Sequence, residues 1–212
     1  MNNYIGLHNH SDYSNIRGLD SINKLEKLID RYVQLGYKGL AITDHECLGG
    51  HIKALKYVQD QKAKNLIPQD FKLILGNEIY LCRNGLNGSN FNKGTDFYYH
   101  FILLAKDEIG YRQMKELSSR AWTRSYTSFI TRVPTYYSDI EEIVGNNKGH
   151  LIAQTSCIGS YGGHNFKTEP RKVENFYKWC KNIFGDDFFL EIQPNPDPLQ
   201  IEYNHFIVNY GA

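Results

Sequence analysis

Side chains of the kind that bind metal ions recur along this sequence where short apolar segments end. Imidazole, carboxylate and thiol groups make up the set: His8, His10, Asp44, His45, Glu78 and Cys157 lie at or just past the ends of such segments, and His100 lies within one. Taken alone, each of these residues is more often a core or surface residue than a ligand. In parallel α/β folds, however, the carboxyl ends of the strands form the functional face. The shared position of these residues therefore predicts a metal site.

The types of ligand indicate which metal ions such a site would hold. Mixed imidazole and carboxylate ligands suit Zn, Mn or Fe and disfavour Ca. The set contains more ligands than one tetrahedral ion needs, so we expect two or three divalent ions. Paired ions a few ångströms apart serve phosphoester hydrolysis, because one activates water while another takes the leaving oxygen.

The segments that must position these side chains alternate between strand and helix patterns. Strands are predicted for residues 4–7, 39–43, 71–75, 98–105, 149–154 and 188–193. Helices are predicted for residues 22–35, 52–64, 107–124 and 173–183 and from position 198 onwards. Ser21 is predicted to cap the first helix and Gly36 to end it. The alternation predicts parallel strands joined by right-handed crossovers.

The fold class follows from this alternation and from one absent motif. No glycine-rich fingerprint follows the first strand, which argues against a dinucleotide-binding fold and favours a (β/α) barrel. The six predicted strands are fewer than eight, so we expect a distorted or unfinished barrel. Residues 83–96 are rich in Gly, Asn and Ser and are predicted to form a loop or hairpin tip.

Composition excludes several classes of protein. The 212 residues, 41% hydrophobic and 22% charged, are typical of one globular domain. We expect a cytoplasmic protein without a membrane partner, since there is no long apolar run, no signal peptide and no C-x-x-C pair. The net charge of +1 argues neither for nor against a nucleic-acid partner.

The ordered motifs resemble those of the polymerase and histidinol phosphatase (PHP) superfamily. They read LHNHSDYS at 7–14, AITDH at 41–45, GNE at 76–78, HFILLAK at 100–106, LIAQTSC at 151–157 and FLEIQ at 189–193. The resemblance implies a single PHP domain over residues 1–212, folded as a distorted (β/α)7 TIM-like barrel with a trinuclear metal site. The strings HFILLAKD, ELSSRAW and FFLEIQ are most similar to the N-terminal PHP domain of bacterial and phage DNA polymerase III alpha subunits.

The resemblance also implies a specific ligand set. It comprises His8, His10, Asp20, His45, Glu78, His100 and Cys157. Asp20 takes its place through its spacing to the T-D-H motif, with Asp12 as the alternative. The competing interpretation of Asp20 is a charge at a helix start, which the helix macrodipole favours. Asp44 is expected to orient its neighbour or a water molecule.

One departure from the family pattern concerns the end of the chain. The family closes its site with a late Asp-x-His motif, which this sequence lacks. Asp197 and His205 are available but do not have the motif spacing. The barrel is therefore expected to lack its last strand and helix. The chain is interpreted either as the N-terminal part of a longer polymerase or as a short stand-alone relative.

Three functions compete at this point. The first is a 3′–5′ exonuclease within a DNA polymerase, with His8, His10, His45 and Glu78 as catalytic residues and the single-stranded 3′ end of DNA as partner. The aromatic and basic stretch Arg112–Arg132 could contact that strand, or could be an ordinary helix face or a docking face for other polymerase domains. The second function is a stand-alone phosphoesterase for small monoesters. The third is a metal-stabilised docking domain for the remaining domains of a polymerase.

Overall fold

A computed structural model of the chain describes residues 3–16, 18–82, 97–128 and 133–211. The fold is of the α/β class, as the sequence predicts, and it divides into two compact units, Met1–Glu78 and Ile79–Ala212. Among the described residues, no helix combines the length and the hydropathy that a membrane span requires.

The first unit is a parallel sheet with two helices. Its elements are β1 (Ile5–Gly6), α1 (Leu25–Gln34), β2 (Gly39–Ile42), α2 (His51–Ala63) and the start of β3 (Lys72–Cys82), which continues into the second unit. Ile5 pairs with Gly39, and Gly39 pairs with Lys72, so the three strands run in one direction with matched starts. Parallel strands in register bring the carboxyl ends of β1 and β2 to one edge, where His8 and His10 follow β1 and His45 follows β2, beside Glu78 within β3.

A hydrophobic cluster holds the helices of the first unit against its sheet. Both helices, strand β2 and the segment before β3 contribute its buried residues, which are Leu25, Ile29, Leu40, Ile42, Ala54, Val58, Ile67 and Phe71, and the partly buried Leu73 of β3 packs against them. In α1 the apolar residues recur three and four positions apart, so they form one stripe that faces the sheet. Burying each such leucine or isoleucine contributes about 1.5–3 kcal/mol to folding.

The ends of α1 confirm one prediction and correct another. Gly36 adopts a φ of +70° just after the helix, as predicted for a C′ glycine. Ser21, however, does not cap the helix. The N-cap is Lys24, and the Ser21 hydroxyl instead donates to the carbonyl oxygen of His10. A carboxylate oxygen of Asp12 accepts from the first helical N–H, that of Leu25, at 3.3 Å.

The second unit combines parallel and antiparallel strand pairs. Its elements are β4 (Tyr99–Ala105), α3 (Glu108–Ser128), β5 (Pro134–Tyr136), α4 (Tyr137–Ile143), β6 (Leu151–Gln154), α5 (Tyr161–Asn165), α6 (Pro170–Phe184), β7 (Phe188–Phe189) and α7 (Pro198–Gly211). The end of β3 pairs with β5 in parallel, and β6 pairs with β7 in parallel. Strands β4 and β6 are antiparallel, so the prediction of uniformly parallel strands is wrong here.

Other boundaries in the second unit also differ from the predictions. Strand β5 and helices α4 and α5 were not predicted, and the last predicted strand ends at Phe189 instead of position 193. Strand β3 is longer than predicted, so Gly76, Asn77 and Glu78 lie within it. The loop predicted at 83–96 lies outside the described residues. The seven strands found among the described residues do not establish a (β/α)7 barrel, which stays a prediction.

Candidate metal centre

The carboxyl ends of β1, β2 and β3 converge through backbone contacts that extend past the regular strands. The N–H of Thr43 donates to the carbonyl of Asn9 at 3.0 Å, and the N–H of Glu78 donates to the carbonyl of Asp44 at 3.2 Å. His45 and Glu78 form an isolated parallel bridge. These contacts fix the histidines after β1 and β2 beside the carboxylate in β3.

Glu78 is the buried carboxylate at the centre of three imidazoles. Its Oε2 lies 3.1 Å from His10 Nε2 and 3.0 Å from His45 Nδ1, and its Oε1 lies 3.5 Å from His8 Nε2. The Nε2 atoms of His8 and His10 are 3.1 Å apart. The Glu78 side chain is 1% exposed, so these contacts are shielded from solvent.

Asp20 forms the exposed side of the same cluster. Its Oδ2 lies 3.6 Å from His45 Nε2 and 4.0 Å from His10 Nδ1, and its side chain is 42% exposed. The Oδ1 of Asn15 accepts the backbone N–H groups of Asp20 and Ser21 at 2.7 and 2.8 Å. The loop that carries Asp20 is therefore tied to the histidine segment, and approach from solvent is open on the Asp20 side.

Asp44 is the buried carboxylate that organises the backbone behind the histidines. It accepts hydrogen bonds from the Ser11 N–H at 2.6 Å and from the hydroxyls of Ser11 and Ser14, each at 2.8 Å. The Ser14 hydroxyl also lies 3.0 Å from His10 Nδ1 and accepts the N–H of His45 at 3.2 Å. Asp44 acts on the cluster through these serines, which supports the predicted orienting role.

Asn9 lies between His8 and His10 and points to the opposite side of the extended segment. Its amide donates to the carbonyls of Gly6 and Ala41, both at 3.1 Å. Its Oδ1 accepts the hydroxyl of Tyr32 at 2.5 Å, and its backbone N–H donates to Thr43 Oγ1 at 2.8 Å. The amide thus joins the end of β1 to β2 and α1, which fixes the direction of both neighbouring imidazoles.

His51 is a buried histidine that sits outside the ligand cluster. Its Nε2 lies 2.9 Å from the carbonyl oxygen of Gly76. Burial lowers the pKa of its imidazole, and the carbonyls of Gly76 and Ile42 oppose that shift. We therefore assign it a structural role beneath the first unit's candidate ligands.

The second unit brings two further predicted ligands together. Cys157 Sγ lies 3.6 Å from His100 Nδ1, and the Tyr80 ring meets the His100 ring edge-on at 5.1 Å. Gly159 donates its N–H to Cys157 Sγ at 3.3 Å. A Cβ at Gly159 would lie 2.9 Å from His100 Nδ1, so only glycine leaves the imidazole in this place without displacement.

The geometry of the first unit fits a divalent cation. Donor atoms of His8, His10 and Glu78 lie within 4.8 Å of one another, as do those of His10, Asp20 and His45. Donors that share a tetrahedral ion at about 2.1 Å lie roughly 3.4 Å apart, close to the 3.1 and 3.5 Å found here. Ring nitrogens and carboxylate oxygens converging at such distances repel unless a cation or a proton lies among them.

Two other candidate residues have structural partners instead, and a third is exposed. Asp12 accepts hydrogen bonds from Lys24 Nζ at 2.7 Å and from the N–H of Leu25, and the hydrogen bond from Lys24 lowers the pKa of its carboxyl. Asp197 Oδ1 accepts the N–H of Leu199 at 2.8 Å at the start of α7. His205 is exposed within α7. Neither Asp197 nor His205 therefore supplies the late ligand pair of the family.

The arginines of the stretch considered above as a DNA contact or an ordinary helix face are largely engaged in ion pairs where the structure describes them. Arg112 pairs with Glu108, and Arg120 pairs with Glu116 and Glu142. Arg124 contacts Asp139 with both terminal nitrogens, at 2.5 and 2.6 Å. Phe129 and Arg132 lie outside the described residues. The paired arginines favour the ordinary helix-face interpretation over phosphate binding.

Sequence reasoning did not identify the roles of Asn9, Ser11 and Ser14. All three lie inside the predicted first motif, and their partners are distant in the chain. The sequence held one signal, because a serine often precedes a short helical turn and accepts a backbone N–H at its start. Ser11 does this in the structure, where its hydroxyl accepts the N–H of Tyr13. Two serines three positions apart after a histidine pair can therefore indicate a turn that supports the ligands.

Comparisons with known proteins agree with the motifs. The profile described as "PHP domain" matches residues 6–195. "Probable DNA polymerase YorL" of Bacillus subtilis (strain 168) is 41% identical over 224 residues, covering 97% of this chain and 17% of that protein. "DNA-directed DNA polymerase" of Bacillus phage SPbeta gives the same values. "DNA polymerase III subunit alpha" of Aquifex aeolicus (strain VF5) is 30% identical, covering 97% of this chain and 17% of the relative.

The chain spans about a sixth of the length of these relatives, 17% in each case. A solved structure from Bifidobacterium adolescentis, provisionally named a metal-dependent phosphoesterase, is 14% identical with a TM-score of 0.48, covering 98% of this chain and 84% of that one.

Proposed function

The chain belongs to the PHP domain family, and on that premise we propose that it is a metal-dependent phosphoesterase with 3′–5′ exonuclease activity. The observation that carries the proposal is the placement of three imidazoles around the buried carboxylate of Glu78 at the strand ends of the first unit. Relatives named as DNA polymerases make DNA and the remaining domains of a polymerase the proposed partners. A cytoplasmic location stays a prediction.

We assign the metal ligands of the first unit to His8, His10, Asp20, His45 and Glu78. His100 and Cys157 are proposed as ligands within the second unit, on the strength of their 3.6 Å contact. A mixed set of imidazole, carboxylate and thiol donors favours Zn, Mn or Fe, and two or three ions remain the proposed number. When bound, such ions supply Lewis acidity and lower the pKa of water.

The buried and the exposed side chains of the first unit have different proposed roles. Glu78 and the imidazoles of His8, His10 and His45 hold a fixed array of donors in a shielded place, so they are the proposed catalytic residues. Asp20 lies on the exposed side, and a phosphodiester would approach from there. Asp44 keeps the serines and the backbone in place and does not face the substrate. Because the array is held before substrate arrives, little reorganisation is needed during reaction.

The test uses the purified 212-residue chain. Its metal content is measured together with cleavage of a single-stranded oligonucleotide labelled at its 5′ end, with and without a chelator. Chelator-sensitive shortening from the 3′ end, lost in Glu78→Gln, supports the exonuclease. The matched control is Glu26→Gln, because Glu26 is a partly exposed carboxylate that pairs with Lys53 at 2.7 Å.

Two other results would replace this proposal. Cleavage of a small phosphate monoester without cleavage of DNA would make the protein a small-molecule phosphoesterase. Bound metal without cleavage of any phosphoester, and unfolding on chelation, would make it a metal-stabilised docking domain.

A further inference from the structure

We infer that Ser14 is a positioning residue for His10: its hydroxyl oxygen accepts a hydrogen bond from the N–H at His10 Nδ1, which leaves Nε2 as the atom that binds metal. This inference rests on the proposed function of the cluster. The nitrogen that carries the hydrogen cannot bind the ion. Heavy-atom positions alone do not show which nitrogen that is, so it has to be worked out from the hydrogen-bond partners.

The hydrogen bonds of Ser14 can be counted completely. A hydroxyl has one hydrogen to donate and two lone pairs that accept. The hydrogen is donated to Asp44 Oδ1 at 2.8 Å, and one lone pair accepts the N–H of His45 at 3.2 Å. Only the second lone pair remains, and the third neighbour of the hydroxyl is His10 Nδ1 at 3.0 Å.

The contact between His10 and Ser14 therefore has one consistent direction. Since Ser14 has no further hydrogen to give, the hydrogen must lie on His10 Nδ1. A neutral imidazole has a single N–H, so Nε2 then presents its lone pair. That atom lies 3.1 Å from both Glu78 Oε2 and His8 Nε2, in the more buried part of the cluster.

The same count decides between two places for His10 in the metal centre. His10 Nδ1 is also 4.0 Å from Asp20 Oδ2, so the ring could instead serve an ion held by Asp20 and His45. Ser14 is closer to Nδ1 than Asp20 is, and its hydroxyl accepts from that atom. His10 is therefore assigned to the ion held by His8 and Glu78.

Asp44 reaches the ligands through this hydroxyl. By accepting the Ser14 hydrogen it turns the oxygen lone pairs toward His10 and the backbone of His45. One hydroxyl thus orients two ligand segments that are distant in the chain. Groups that orient metal-bound histidines in this way commonly change metal affinity 10- to 100-fold when removed, an order-of-magnitude expectation.

The first experiment determines which nitrogen of the His10 ring carries the hydrogen and which one binds zinc. The chain is labelled with ¹⁵N-histidine and loaded with Zn²⁺, and long-range ¹H–¹⁵N correlations are recorded at about pH 8.5, where free histidine is neutral. The His10→Gln variant identifies the His10 signals among the eight histidines. We expect a hydrogen on Nδ1 and a zinc-bound Nε2.

Two outcomes of that spectrum separate this inference from the proposed function. Zinc bound through His10 Nδ1 overturns the role of Ser14 and leaves the metal centre standing. No zinc-bound shift on any histidine overturns the metal centre, and the inference falls with it.

The second experiment measures zinc affinity by competition with a chelating dye. Ser14→Ala should weaken binding roughly 10- to 100-fold, and Ser14→Thr, which keeps the hydroxyl, should recover most of the loss. The matched control is Ser21→Ala, because the Ser21 hydroxyl bonds to the backbone oxygen of His10 and not to its ring. Equal affinities for Ser14→Ala and Ser21→Ala would contradict the inference. Should Ser14→Ala fail to fold, the wild-type spectrum alone decides.

Discussion

The imidazole of His10 is stacked on that of His45, with ring centroids 4.3 Å apart and an angle of 30° between the planes. The two rings present one edge to Glu78 Oε2, at 3.1 and 3.0 Å. On the opposite edge, His45 Nε2 lies 3.6 Å from Asp20 Oδ2. Two imidazoles thus share the same carboxylates, and a change in either carboxylate acts on both histidines.

Removing the negative charge of Glu78 should disable the metal centre. In Glu78→Gln the side chain keeps its size, but an amide nitrogen replaces one donor oxygen among the three imidazoles. We expect at least one equivalent of bound metal to be lost. The affinity for the remaining metal should fall by about 100-fold or more, which exceeds the loss expected when a residue that only orients a ligand is removed. Metal analysis after dialysis measures this. Glu26→Gln should match the wild type; wild-type metal content in Glu78→Gln would rule out Glu78 as a ligand.

Replacing Asn9 should loosen the joint between β1, β2 and α1. Asn9→Ala removes two hydrogen bonds to carbonyls and leaves the Tyr32 hydroxyl without that acceptor, at a cost of about 2–4 kcal/mol in the free energy of unfolding. Tyr32→Phe removes one of these bonds and should cost about 1 kcal/mol. Urea unfolding in the presence of a chelator measures both values apart from metal binding. Equal, negligible losses for the two variants would show that the amide does not hold the strand ends.

His51 should make the folded chain sensitive to mild acid. Burial lowers its pKa in the folded state, so between the folded and unfolded pKa values the unfolded chain binds more protons and stability rises with pH. The stability that neutral, buried His51 contributes is complete above its unfolded pKa of about 6.5. It is lost as the pH falls through the pKa of His51 in the folded state. His51→Gln should remove this part of the pH dependence.

The measurement compares the free energies of unfolding of wild type and His51→Gln, without metal, over a series of pH values. The other histidines are common to both proteins and cancel in the difference. A single proton can change that difference by at most about 1.4 kcal/mol per pH unit. Curves that stay parallel below neutral pH would contradict the prediction.

Gly110 should tolerate no side chain although it lies in a helix. Replacing glycine by alanine in a helix interior normally stabilises the helix by about 1 kcal/mol. A Cβ at Gly110 would, however, lie 1.9 Å from the carbonyl oxygen of His150, which accepts the N–H of Lys106 at 3.0 Å. We expect Gly110→Ala to destabilise the chain by about 1–3 kcal/mol.

Thermal unfolding of Gly110→Ala tests this sign. The exposed position Ser119, in the same helix, provides the control, because Ser119→Ala should be neutral or slightly stabilising. A gain in stability for Gly110→Ala would mean that helix α3 can move away from His150 at little cost.

The strand ends of the first unit were predictable because the signals there are local. Short apolar runs, each followed by His or Glu, are sufficient to place His8, His10, His45 and Glu78 at one edge once the strands are parallel. The structure brings these four together, with Asp20 beside them.

The rest depends on contacts between distant residues. The antiparallel pairing of β4 with β6 joins Ile102 to Gln154, and no pattern within either strand specifies a direction. Ser21 has the chemistry of a helix cap, but the carbonyl of His10 competes for its hydroxyl. Gly76 and Asn77 disfavour a strand by propensity, yet they lie within β3. In each case tertiary context overrides the local preference.

The donors of the first unit lie between positions 8 and 78, nearly the full length of that unit. An ion held by His8, His10 and Glu78 would therefore act as a reversible cross-link that closes a long loop. Closing so long a loop costs conformational entropy on folding, and the free energy of metal binding would offset part of that cost. The concentration of free metal would then set the folding equilibrium of this unit, since a ligand of the folded state stabilises it by mass action. The same side chains would thus bind the catalytic metal and, through it, stabilise the folded unit.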